Sequence, residues 1–211
     1  MSDPSSDCKD SKNGLAGVTA GHTSICSLDK TLRYRGYAIT DLLECSFEEV
    51  AYLLLWGDLP TENQLREFAT RLHTHAQSLP ETVLRCFSRL AKTSPQCSIM
   101  DVLRTGVSIL GQIECDNGPE EMPHHRDLSQ ERFKAEQLLG HVPALLAAWI
   151  DCISGRQPTT WPKKPLATAL LEKLCHTRIS DNAANVFTKT LILYVKSNIW
   201  LFALGYIPIN D

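Results

Sequence analysis

The chain has 211 residues, of which 43% are hydrophobic and 21% charged, with a formal net charge of −3. That composition suits one globular body with a sizeable core and gives no basic footprint for a nucleic acid. No stretch reaches the ~18–20 apolar residues of a membrane-spanning helix, because Leu138–Ile153 carries His141 and Asp151 and Ile199–Ile209 is too short.

The eight Cys contain no Cys-x-x-Cys, and the opening MSDPSSDCKD is polar and acidic rather than signal-like. The expectation is reduced, mostly buried thiols in a cytoplasmic protein. The N-terminus is not the Arg-rich, acid-poor sequence of a transit peptide, a weak argument that leaves a mitochondrial matrix placement open.

Residues 1–13 are poor in apolar groups and predict a disordered tail. Gly14, Gly17 and Gly21 then break any helix, and the β-favouring runs Thr23–Cys26 and Leu32–Tyr37, separated by Leu28–Thr31, predict a small hairpin. Thr40 or Asp41 is placed to cap a short turn through Leu43. Ser46 with Glu49 forms a capping-box signature for a helix from Phe47 to Trp56, stopped by Gly57. Thr61 with Gln64 repeats the device for a helix to about Ser78, and Pro80 opens another through about Ala91. Ser98 is expected to cap a helix over Ile99–Leu110 with Val102, Val107 and Leu110 as core positions. Cys115–Arg126 reads as a loop.

The stretch Asp127–Ser154 is the one around which the rest is organised. Leu138, Val142, Leu145 and Trp149 form one apolar row, and Leu139, Leu146, Ile150 and Ile153 a second, at helical steps of three, four and seven. Two rows predict burial on more than one side, with a kink at Pro143 and a stop at Gly155. Gln157–Pro165 is irregular, Leu166 to about Thr177 is helical, and Ser180 or Asp181 caps a last helix. The sum is an all-α domain with a small N-terminal β-hairpin.

Candidate chemistry is sparse. His73 and His75 are two apart and point different ways on a helix, so a shared metal ion is unfavourable. His124–His125 and Glu120–Glu121 read as solvated loop pairs, and Glu48–Glu49 as charge at a helix N-terminus. Gly14, Gly17 and Gly21 do not make the dinucleotide fingerprint. Arg33, Tyr34 and Arg35 could bind an anion but more simply decorate a hairpin, and Arg104 reads as a surface helix charge. No nucleophile–base pair, metal set or phosphate loop emerges.

Four stretches taken together resemble the citrate synthase family, its shorter bacterial-type branch with the 2-methylcitrate synthases in particular. They are GLAGVTAGHTSIC from Gly14, LRYRGY from Leu32, SFEEVAYLLLWGDLPT from Ser46 and MDVLRTGVSILG from Met100. The resemblance covers roughly Gly14–Tyr194. It implies a mostly helical fold with a large and a small domain, of which this chain is expected to hold the helical large domain, truncated before the small one. It also implies a homodimer, and condensation of acetyl-CoA or propionyl-CoA with oxaloacetate to give citrate or 2-methylcitrate plus CoA. The acyl-CoA would be a substrate, and no other cofactor is implied. In that chemistry a carboxylate removes the α-proton, a His stabilises the enol, and further His and Arg groups polarise the ketone. The resemblance also implies that helices near 99–111 and 127–154 form the dimer, with a second copy or with a full-length relative.

The pattern breaks after Leu191-Ile-Leu-Tyr194. The family continues Ala-Glu-His-Glu, whereas this chain reads Val195-Lys-Ser-Asn, so Ser197 occupies the position of the oxaloacetate-binding His. The later catalytic His, Asp and Arg motifs have no counterpart. The expectation is a large-domain fragment over 14–196, a divergent apolar tail over 197–211, no catalytic residue, and no activity of these residues alone. The alternative expectation is a catalytically dead helical dimerisation module.

Overall fold

The computed structural model describes residues 25–28, 31–116 and 128–194. The expected tail at 1–13, the glycines at 14, 17 and 21, most of the 115–126 loop, and the chain from 195 onward, Ser197 included, lie outside the described residues.

Three short antiparallel strands come first: β1 (Cys26–Leu28), β2 (Leu32–Tyr34) and β3 (Tyr37–Ala38), in the order β1-β2-β3. The expected hairpin is present, and a third strand extends it. Arg35 and Gly36 between β2 and β3 both have positive φ (46° and 89°), the requirement of a type I′ turn, which matches strand twist and closes the second hairpin in two residues.

Eight helices follow among the described residues: α1 (Ile39–Leu42), α2 (Phe47–Trp56), α3 (Glu62–Gln77), α4 (Glu81–Thr93), α5 (Ile99–Asp116), α6 (Leu128–Ile153), α7 (Leu166–Cys175) and α8 (Asp181–Tyr194). Local chemistry explains most of their ends. Glu49 N–H donates to Ser46 Oγ at 3.2 Å and Ser46 N–H returns to Glu49 Oε2 at 2.7 Å. Thr61 and Gln64 exchange the same pair of bonds at 3.4 and 2.8 Å. Gly57 and Gly155 end α2 and α6 in left-handed conformations, and at Gly155 the Arg156 N–H reaches back to the Asp151 carbonyl at 2.9 Å, the Schellman arrangement.

Several expectations need correction. The N-cap of α1 is Ala38, with no side-chain cap, because Thr40 Oγ1 turns to Asp41 instead. α5 continues six residues beyond Leu110 and takes in Cys115 and Asp116. α7 stops at Cys175, where His176 adopts φ 53°. Val107 is not core: Val102 and Leu110 are buried, whereas Val107 is exposed.

α6 is the axis of the body. α3, α4, α5 and α7 all pack on it, and α2 touches it. Its buried face differs from the two expected rows. Ala135, Leu139, Gly140, Ala144, Leu145, Ala147, Ala148 and Trp149 are buried, whereas Leu138, Val142, Leu146 and Ile150 are half-buried and Ile153 is exposed. Small residues let neighbouring helices come close. A Cβ built on Gly140 would stand 2.7 Å from the Leu72 carbonyl oxygen of α3. The other end of α6 packs Leu145, Ala148 and Trp149 against Val83, Phe87, Val102 and Leu110. α2 joins this core to the sheet, where Val50, Leu53 and Leu54 meet Tyr34, Leu42 and Ile192. No helix of the described residues is long and apolar enough to cross a membrane.

Candidate functional site

The structure separates most of the residues singled out in the sequence. On α3, His75 turns to α6, where its ring meets Phe133 and His141 edge-on at 6.0 and 5.7 Å. His73 turns instead toward a cavity beside Trp161. Among the described residues no group of three or more His, Cys, Asp or Glu is placed to hold a metal ion; His124 and His125 lie outside them. Arg104 pairs with Asp101 at 3.1 Å on an exposed face.

The Arg33–Tyr34–Arg35 cluster does not form. Tyr34 is a buried core residue, Arg33 Nη1 donates to the Gly36 carbonyl at 2.9 Å, and Arg35 Nη2 donates to the Leu54 carbonyl at 3.2 Å. Alternation along β2 sends Tyr34 to the core face, which corrects the expectation of three residues decorating one hairpin. Glu48 also departs from its expected role. It is buried, and its Oε1 accepts the Leu166 N–H at 2.6 Å, so it serves the first turn of α7 as well as that of α2. Burial pushes its carboxyl above the usual range, partly offset by that hydrogen bond.

Two polar groupings that sequence reasoning missed are built on α6. In the first, Glu136 is 2% exposed and accepts from Arg71 Nε at 2.7 Å, Arg71 Nη2 at 3.2 Å and Trp56 Nε1 at 3.2 Å. Both carboxylate oxygens are engaged, so the group ties α2, α3 and α6 together rather than offering a base. The Glu136 hydrogen bond holds the Arg71 guanidinium even more firmly charged. One helical turn on, His141 lies 3.5 Å from Ser78 Oγ. Burial, reinforced by His75, lowers its pKa to about 4, so it is neutral at neutral pH.

In the second, Asp151 sits near the end of α6 with Lys173 Nζ at 3.6 Å and His176 Nδ1 at 3.5 Å. Lys173 Nζ also donates to the Thr159 carbonyl at 2.8 Å and to Thr159 Oγ1, pinning the irregular 157–165 segment to α7. Both groupings left a signal in the sequence. Glu136 is four residues before Gly140, and Asp151 four after Ala147, so each is a charge in phase with a buried row.

These clusters are structural, and the functional meaning of the scaffold comes from its likeness to other proteins. The family model described as "Citrate synthase, C-terminal domain" matches residues 14–198. The chain belongs to the citrate synthase family. Among its relatives, 2-methylcitrate synthase 1 of Corynebacterium glutamicum is 40% identical over 150 residues, 69% of this chain and 37% of that protein. A 2-methylcitrate synthase of Mycobacterium tuberculosis is 33% identical over 193 residues, 89% of this chain and 46% of that protein. The crystal structure of citrate synthase from Thermotoga maritima superposes with a TM-score of 0.71 at 25% identity, over 89% of this chain and 47% of that one. The chain therefore spans less than half the length of these citrate synthase relatives. The fold of this chain is the one it shares with the solved citrate synthase structure on which it superposes.

Proposed function

We propose that this chain is the helical large-domain portion of an enzyme that condenses acetyl-CoA or propionyl-CoA with oxaloacetate, the acyl-CoA being a substrate and no further cofactor being used. The observation that supports this reading is the continuous family match from 14 to 198, which runs through the Leu191–Tyr194 end of α8 up to the family's oxaloacetate motif. Two of the relatives reported above are 2-methylcitrate synthases, which makes propionyl-CoA the first acyl donor to test. Their bacterial origin supports a cytoplasmic placement.

The second part of the proposal concerns these 211 residues as a polypeptide. Ser197 stands where the family has its oxaloacetate-binding His, and the later His, Asp and Arg motifs have no counterpart in this sequence. A serine is shorter and carries no charge, and losing one preorganised donor costs about 3–4 kcal/mol of transition-state stabilisation. The polypeptide by itself is therefore expected to be inactive. A thiol-release assay with propionyl-CoA or acetyl-CoA plus oxaloacetate tests this: turnover above a no-enzyme control overturns it.

A dimer-forming role is favoured by a specific observation. Met100 and Val107 on α5, with Leu128, Phe133 and Ile153 on α6, are exposed large apolar side chains on the two helices named for the dimer. Sedimentation equilibrium showing only a mass near 23.5 kDa at micromolar concentration, alone and after mixing with a full-length relative, rejects this role.

A further inference from the structure

α8 is apolar on more sides than the described residues cover. It packs on α7 and α2. Ile192 is buried with Tyr34, Leu42, Val50 and Leu53, while Phe187 and Leu191 pack against the core cluster to which α7 contributes. Val186, Thr190, Leu193 and Tyr194 are exposed. Their spacing of four and three residues puts them in one row on the helix surface. No charge stands in that row, and Lys189 beside it is paired with Glu44 at 2.9 Å. Single exposed apolar groups are ordinary, but an uncharged row at helical spacing marks a surface that takes a cover.

The sequence that follows α8 supplies a matching surface. Residues 199–209 read IWLFALGYIPI, with large apolar groups and no charge. We propose that residues 199–209 of this chain dock on the Val186–Thr190–Leu193–Tyr194 row of α8 and cover it. Reach allows it. From Val186 to Tyr194 the row is about 12 Å long at 1.5 Å per residue, and the 195–198 connector spans up to about 13 Å when extended. Tethering also favours this occupant over a second copy. A connector this short presents the segment at an effective concentration on the order of millimolar, about a thousandfold above a second copy at micromolar concentration. The inference does not depend on the acyl-CoA reading of the scaffold.

The test uses the full 211-residue chain with the photo-cross-linking residue p-benzoylphenylalanine replacing Thr190, in the middle of the row. Equal amounts of ¹⁴N and ¹⁵N protein are mixed at micromolar concentration, irradiated, and mapped by mass spectrometry. The expected product is a cross-link within one chain, from position 190 to a residue of 199–209. A mixed-isotope product, a cross-link that lands elsewhere in the chain, or no cross-link overturns the proposal. Limited chymotrypsin digestion gives a second readout. Cleavage after Trp200, Phe202 and Tyr206 is expected to be roughly tenfold faster in Leu193→Asp than in the parent, because a charge in the row displaces the segment. Leu193→Met is expected to keep the parent rate. Leu193 is exposed, so the far-UV helical signal is expected to survive both substitutions. Equal cleavage rates in Leu193→Asp and the parent overturn the docking.

Discussion

Gly140 of α6 lies directly against Leu72 of α3, so closely that an added Cβ would stand 2.7 Å from the Leu72 carbonyl oxygen and 2.6 Å from His75 Cβ. Backbone cannot move aside as a flexible side chain can. Gly140→Ala is therefore expected to part the two helices and destabilise the fold by about 1–3 kcal/mol, read as a lower urea midpoint. Gly111 on α5 has nothing within 4 Å of the same position. Gly111→Ala is expected to stabilise by about 0.5–1 kcal/mol through helix propensity. Equal effects from the two substitutions would contradict the close crossing of α3 and α6.

Glu48 and Leu166 give a second test. Glu48→Leu leaves the Leu166 N–H buried without its acceptor and is expected to cost about 1–3 kcal/mol. Glu48→Gln keeps a carbonyl acceptor and removes a charge that burial disfavours, so at pH 7 it is expected to be no less stable than the parent. Thermal melts of the two variants, side by side, decide the matter.

The Arg71–Glu136 pair is asymmetric in exposure, 39% against 2%. Arg71→Met strands a buried carboxylate with only the Trp56 N–H, and about 2–3 kcal/mol of destabilisation is expected, below the ~3–5 of a fully buried pair because water reaches the Arg71 side. Glu136→Leu leaves a guanidinium that can turn to solvent and is expected to cost less. Chemical denaturation showing the reverse order would remove the assignment of Glu136 as the buried partner.

His141 predicts a pH dependence. Its pKa in the folded state, about 4, lies below the ordinary value of 6.5. The unfolded chain therefore takes up this proton first as pH falls, and stability is lost between about pH 6.5 and 4, by up to about 3 kcal/mol. His75 contributes in the same direction, its pKa lowered first by burial; nearby Glu136 opposes and Arg71 assists that lowering. His141→Leu is expected to flatten the stability profile over this window while leaving it unchanged above pH 7. A profile of unaltered slope counts against a neutral buried His141.

What could be read in the sequence was local. Ser46 with Glu49, Thr61 with Gln64, Gly57 and Gly155 mark helix ends through bonds made within a few residues, so their consequences are written in the order of the chain. The family motifs were legible for the same reason, being contiguous. The candidate site was less so: the Arg33–Tyr34–Arg35 cluster dissolved because strand alternation buries Tyr34, and Glu48 acquired its partner from a residue 118 positions away.

The amino-acid sequence by itself determined that the chain is helical, where most helices begin and end, and, through contiguous motifs, its likeness to the citrate synthase family, whose model matches residues 14–198. Only the tertiary structure decided that α6 presents glycine and alanine alongside Leu139, Leu145 and Trp149 to its neighbours, while Leu138, Val142, Leu146 and Ile150 are only half-buried. It also decided that Glu136 and Asp151 are buried with partners on other helices, and that Trp161 is buried with its indole N–H left without an acceptor among the described residues. The physical reason is that capping and periodicity depend on neighbours three or four residues away. Burial, close approach and hydrogen-bond satisfaction depend on segments that meet only after the chain has folded.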